Sequence, residues 1–163
     1  MARILYLHGL ESSPNAGKAT RLREEGHEVV GPQLDHAPDL TDSIATAQEA
    51  LDAALAAGGV DVIVASSRGG AVATALNPRG VPMLLLCPAW KRFGLDARIS
   101  GPVRILHAAA DDLVPLADSV ELLARSGLPA AWLTVVGDDH KLHDKAATAA
   151  MFAAVLELAG APA

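Results

Sequence analysis

Val60-Asp61-Val62-Ile63-Val64-Ala65-Ser66-Ser67-Arg68-Gly69-Gly70 is the stretch that decides the fold. Residues 60–65 are a short, β-branched apolar run of the kind that forms a strand covered on both faces. The chain then turns through serines and glycines into an alanine-rich, helix-forming segment at 69–77. The same alternation extends in both directions. Further strand candidates lie at 3–8, 27–31, 81–87, 103–108 and 130–136, with helix candidates at 18–25, 41–57, 115–126 and 141–158. Thr41-Asp42 and Pro115 read as helix starts, Gly58-Gly59 and Gly127 as stops. Strand–helix alternation throughout predicts an α/β fold, a three-layer α/β/α sandwich around a six-stranded, mainly parallel sheet.

At 163 residues the chain is expected to be one domain, 1–163. Its 51% hydrophobic and 20% charged residues suit a packed core and argue against disorder. A net charge of −6 gives no electrostatic reason to expect nucleic acid or an anionic membrane as partner. The single cysteine, Cys87, cannot close an intramolecular disulfide. The opening apolar run is too short for a signal peptide, and no run is long enough to span a bilayer, so a cytoplasmic location is expected. Composition does not indicate an oligomeric state.

Ligands of open parallel sheets bind beyond the carboxyl ends of the strands, so the residues that follow each strand matter most. After the third strand, a sharp strand-to-helix turn could lift one serine above the sheet. Such a turn needs small residues two places before and two after that serine. For Ser67 these are Ala65 and Gly69; for Ser66 they would be Val64 and Arg68, which are too bulky. Ser67 is therefore the candidate nucleophile. A serine hydroxyl needs an imidazole to take its proton, and the imidazole needs a carboxylate to fix its tautomer. The fifth strand leads into Asp111-Asp112-Leu113-Val114-Pro115, and the sixth into Gly137-Asp138-Asp139-His140. Asp111, first after its strand, is chosen over Asp112, and His140 over His143, which falls within the expected last helix. Asp138 and Asp139 adjoin His140 too closely in sequence to reach the far side of its ring. His27, His36 and His107 read as structural.

The first strand ends in His8-Gly9-Leu10-Glu11-Ser12-Ser13-Pro14. An oxyanion hole needs two main-chain N–H donors, one following the nucleophile and one from such a loop. Arg68 and Leu10 are the candidates, with Gly9 expected to let the chain turn and His8 to brace it. Together these motifs resemble the YqiA-like (UPF0227) esterases, small lidless members of the α/β-hydrolase superfamily. The resemblance lies in Leu7-His8-Gly9, Ser12-Ser13-Pro14, Lys18, Ser66-Ser67 with Gly69-Gly70, and the Gly137–His140 turn. Leu10, Glu11 and Arg68 depart from that family's usual residues. The resemblance implies hydrolysis of a carboxylic ester or thioester of a small molecule, without a cofactor.

Two other functions compete. Ser12-Ser13-Pro14-Asn15-Ala16-Gly17-Lys18-Ala19-Thr20 has the placing of a phosphate-binding loop, but lacks its first glycine and the hydroxyl directly after the lysine. Lys18 then reads as an early helix residue with its charge in solvent. The other competitor is a catalytically silent fold used for binding, which fold alone never excludes. Trp90, in the long segment 88–101 after the fourth strand, is expected to line the acyl pocket beside Glu11, whereas Trp132 is expected in the core. Cys87 reads as a buried small hydrophobe. No cluster has metal-ligand spacing, and an open cleft suited to short acyl groups is expected.

Overall fold

The computed structural model describes residues 1–160. Six strands form one sheet: β1 (Arg3–Leu7), β2 (Glu28–Val30), β3 (Val62–Ser66), β4 (Met83–Leu86), β5 (Val103–His107) and β6 (Leu133–Val135). Their order is β2-β1-β3-β4-β5-β6, and every pairing is parallel. The helices are α1 (Lys18–Glu24), α2 (Thr41–Ala57), α3 (Arg68–Thr74), α4 (Leu116–Arg125) and α5 (Lys145–Ala159).

Because successive side chains on a strand point to opposite faces, the apolar runs supply two cores. Leu5, Leu7, Ile63, Ala65, Leu85 and Ile105 pack against α2, α3 and α4. Ile4, Tyr6, Val64, Leu84, Leu86 and Leu106 pack against α1 and α5. Strands covered on both sides need no polar alternation, which is why they read as continuous apolar runs. After β2 the chain reverses its direction of travel across the sheet, returning past β1 to lay down β3. The loops after β1 and β3 therefore leave the sheet side by side at a topological switch point, where this architecture opens a crevice.

Two expected boundaries move. Ala130–Trp132 is a single 3-10 turn after Pro129, so β6 starts only at Leu133. Trp132 is half-buried: it packs against the edge of the core, with the Arg104 guanidinium 5.1 Å above its ring, instead of lying within it. The last helix starts at Lys145, because the Asp144 carboxylate accepts the Ala147 N–H and caps it there. His143 consequently lies in the loop before the helix. Among the described residues no helix is long and apolar enough to cross a membrane.

Candidate active site

Ser67 sits between β3 and α3 at φ 53°, ψ −113°, a region that side chains other than glycine rarely occupy. Its N–H is tied to Leu86 O at 2.9 Å, and its carbonyl accepts from Ala71 and Ala89. These bonds hold the strained turn in place. Gly69 is required by close approach: a Cβ there would lie 2.2 Å from Leu7 O and 2.6 Å from His8 O. The elbow is thus pressed against the end of β1. Gly9 is less constrained than its motif suggests, since a Cβ there would meet Ser66 O and Ser67 Cβ at an ordinary 3.5 Å.

The three strand ends converge on one relay. Ser67 Oγ lies 2.8 Å from His140 Nε2, and His140 Nδ1 lies 2.6 Å from Asp111 Oδ2. An ionised carboxylate only accepts, so Nδ1 carries the ring proton and Nε2 is free to accept from the serine hydroxyl. The other Asp111 oxygen accepts the N–H groups of Leu113 and Val114 at 2.9 and 2.8 Å. Burial pushes this carboxyl upward, but those two N–H groups and the His140 ring outweigh it and hold it below the usual carboxylate range. Asp112 takes no part in the relay, and Asp139 accepts the Lys141 N–H within its own loop.

The carboxylate has a second imidazole behind it. His107 is fully buried; its Nε2 donates to Val114 O at 2.8 Å and lies 3.2 Å from Asp111 Oδ2, while Nδ1 accepts from Ser119 Oγ at 2.7 Å. The structural role read for His107 in the sequence therefore extends to bracing the turn that carries Asp111. His8 braces the first loop: Nε2 accepts the Leu34 N–H at 2.9 Å and Nδ1 donates to Gly9 O at 2.8 Å. Leu10 and Arg68, whose backbone N–H groups are the candidate oxyanion donors, are both among the residues that line the cleft. Among the described residues neither of these N–H groups donates to a protein acceptor.

Residues from all these loops, Ser67 and His140 among them, line a cleft of about 540 Å³. Glu11 is on its wall at φ 56°, with its N–H given to His36 Nδ1. Trp90 is not. It is buried to 1% exposure beneath the loop, its indole N–H donating to Asp118 O at 3.0 Å, so the expected pocket role fails. Phe93 and Arg92 of the same segment face the cleft instead. The Arg68 side chain points away into the fold, where it meets Asp35, Ser43 and the Ala37 carbonyl and lies 5.7 Å from the Phe93 ring. Nor is Lys18 in solvent: it is buried, and its Nζ donates to Lys141 O at 2.6 Å. No sequence signal marks these contacts, because each joins segments far apart in the chain.

Cys87, Asp111 and His140 offer potential metal-ligand atoms within 4.8 Å of one another. Burial pushes the Cys87 thiol up to about 12, and both nitrogens of His140 are already engaged. A cation would have to break the relay and ionise that thiol, so the donor set fits proton transfer better than metal binding.

The family model that matches is described as an uncharacterised protein family, UPF0227, and it covers residues 3–95. No curated protein matches the sequence. Among solved structures, a protein of the alpha/beta hydrolase superfamily from Xanthomonas campestris pv. campestris is 28% identical, with TM-score 0.68 over 97% of this chain and 95% of that one. Est1E from Butyrivibrio proteoclasticus shares 17% identity, with TM-score 0.72 over 96% of this chain and 88% of its own. An alpha-beta serine hydrolase homologue from Coxiella burnetii shares 14%, with TM-score 0.70 over 97% and 81%. The matched segment carries β1 to β4, the first loop and the elbow, and the chain is a member of the UPF0227 family built on the α/β-hydrolase fold.

Proposed function

We propose that this protein is a serine hydrolase that cleaves a carboxylic ester or thioester of a small substrate through an acyl-enzyme on Ser67. The observation that carries the reading is the unbroken relay from Asp111 through His140 to a serine held at a strained turn. As Ser67 Oγ attacks the carbonyl carbon, its proton passes to His140 Nε2, and Asp111 stabilises the imidazolium that forms. The carbonyl oxygen becomes an oxyanion facing the N–H groups of Leu10 and Arg68, each worth ~3–4 kcal/mol of transition-state stabilisation. His140 then returns the proton to the departing alcohol or thiol, which leaves an acyl-enzyme. Water repeats the sequence and releases the acid. A cleft of about 540 Å³ at the mouth of the sheet is of the size that holds a small-molecule substrate.

Turnover of short-chain p-nitrophenyl esters and thioesters tests the proposal against Ser67→Ala, Ser66→Ala, Asp111→Asn and His140→Ala. Losses on the order of 10⁴-fold or more in kcat are expected for Ser67→Ala and His140→Ala. Ser66→Ala should retain activity. If Ser66→Ala abolishes turnover and Ser67→Ala does not, the nucleophile is misassigned. If no substrate turns over, a binding role gains ground.

A further inference from the structure

Acyl transfer leaves a buried charged group in the cleft without a task. Lys18 opens α1 with only 7% of its surface exposed, yet it lines the same cleft as Ser67. An ammonium has three donors, and Lys18 uses one of them, on the neutral Lys141 carbonyl. The ion pairs of the described residues lie elsewhere and leave Lys18 without a carboxylate. Burying an ammonium without a counter-charge is costly. That cost shows in Lys18 itself, which burial pushes down to about 8, with Arg21 adding to the effect and Cys87 and Asp139 opposing it.

The surroundings have the same sign. Arg92 and Lys141 also line the cleft and form no ion pair among the described residues, and the Arg68 guanidinium is taken by Asp35. Glu11 is the lining carboxylate that opposes them. Three uncompensated cations thus gather around one cleft in a chain whose net charge is −6. A field of that sign favours an anionic ligand.

We infer that the Lys18 ammonium is a binding site for a carboxylate carried by the substrate, so that the ester or thioester cleaved at Ser67 is an anionic one. This rests on the acyl-transfer reading given above. The two N–H donors of Lys18 that have no acceptor among the described residues match the two oxygens of a carboxylate, while Arg92 and Lys141 draw the anion to the mouth.

Two matched pairs of esters test the site and show which side of the substrate bears the charge. Mono-4-nitrophenyl adipate against 4-nitrophenyl hexanoate places it on the acyl side; 3-acetoxybenzoate against phenyl acetate places it on the alcohol side. In one pair the anionic ester should have the higher kcat/KM by about tenfold or more. That ratio should shrink in about 0.5 M NaCl, where the Debye length is only a few ångström. Lys18→Met should bring it close to one; if that variant is unstable, the wild-type ratio should fall as pH rises through about 8 and the Lys18 ammonium loses its charge. Neutral esters preferred in both pairs, or a ratio indifferent to salt and to Lys18→Met, overturns the site while leaving the hydrolase reading intact. If none of the four esters turns over, that reading fails instead. The site is then judged by calorimetry with adipate and the Ser67→Ala protein. Binding weakened about tenfold by Lys18→Met supports it, and unchanged binding overturns it.

Discussion

Replacing Gly69 by alanine adds one methyl group where the elbow touches the end of β1. The new Cβ would stand 2.2 Å from Leu7 O, 2.6 Å from His8 O and 2.7 Å from Leu7 C, all of them backbone atoms. Reaching the 3.4 Å of ordinary contact requires β1 and the elbow to part by about 1.2 Å. No side chain can rotate away to absorb that. Overpacking of a close-packed interior typically costs ~1–3 kcal/mol, and a backbone clash belongs at the upper end. For a domain of this size each kcal/mol lowers Tm by about 2–4 °C, so a fall of about 6–12 °C is expected. The effect on activity should be larger still. The same displacement separates Ser67 and the Arg68 N–H from the Leu10 N–H, and misplacing reacting groups by about 1 Å costs on the order of 10²-fold. Gly9→Ala is the control, because its Cβ would find only 3.5 Å contacts. Differential scanning calorimetry and kcat/KM for p-nitrophenyl butyrate measure both effects. Gly69→Ala within about 2 °C and threefold of wild type would refute the reasoning, as would an equal loss in Gly9→Ala.

Other perturbations separate the roles assigned to individual side chains. Trp90→Phe should cost about 1–2 kcal/mol through the lost bond to Asp118 O without altering acyl-chain preference, whereas Phe93→Ala should alter that preference; thermal unfolding and an ester series read the two. His107→Phe leaves Ser119 and the Val114 carbonyl unpaired in the interior, so Tm should fall by about 4–8 °C for a cost of about 2 kcal/mol. Asp35→Ala should destabilise the fold by stranding the buried Arg68 charge, and Arg68→Leu in the same chain should recover part of the loss; a double-mutant cycle in urea measures the coupling. Burial sets Lys18 at about 8, with Arg21, Cys87, Asp139, Lys141 and His143 around it. The ammonium is therefore charged below that pH and neutral above it. The kcat/KM preference for anionic over neutral esters should fall as pH rises through about 8.

Ser67 could be read in the sequence because a tight strand-to-helix turn constrains residues close to it along the chain. Ala65 and Gly69 fit only one register, although what Gly69 avoids is the carbonyl of a neighbouring strand. Asp111 and His140 could be read because the chain order of strand ends maps onto one edge of a parallel sheet. What stayed hidden depends on which way a loop turns. Trp90 and Phe93 lie three residues apart in one segment, and only packing against α4 decides that the larger ring goes inward. Lys18 looks like a solvated helix residue until the His140 loop, 123 residues later, closes over it. The start of the last helix is hard to place in the sequence because Asp144 caps it without a glutamate or glutamine three residues on, which leaves half of the usual signal.

Labelling with a fluorophosphonate, followed by intact mass and peptide mapping, tests the assignment of Ser67 most directly. One adduct per chain is expected, on the peptide carrying Ser67, formed far more slowly in His140→Ala and not at all in Ser67→Ala. A stoichiometric adduct on Ser66 or another residue, or none on the folded wild-type protein, would contradict it.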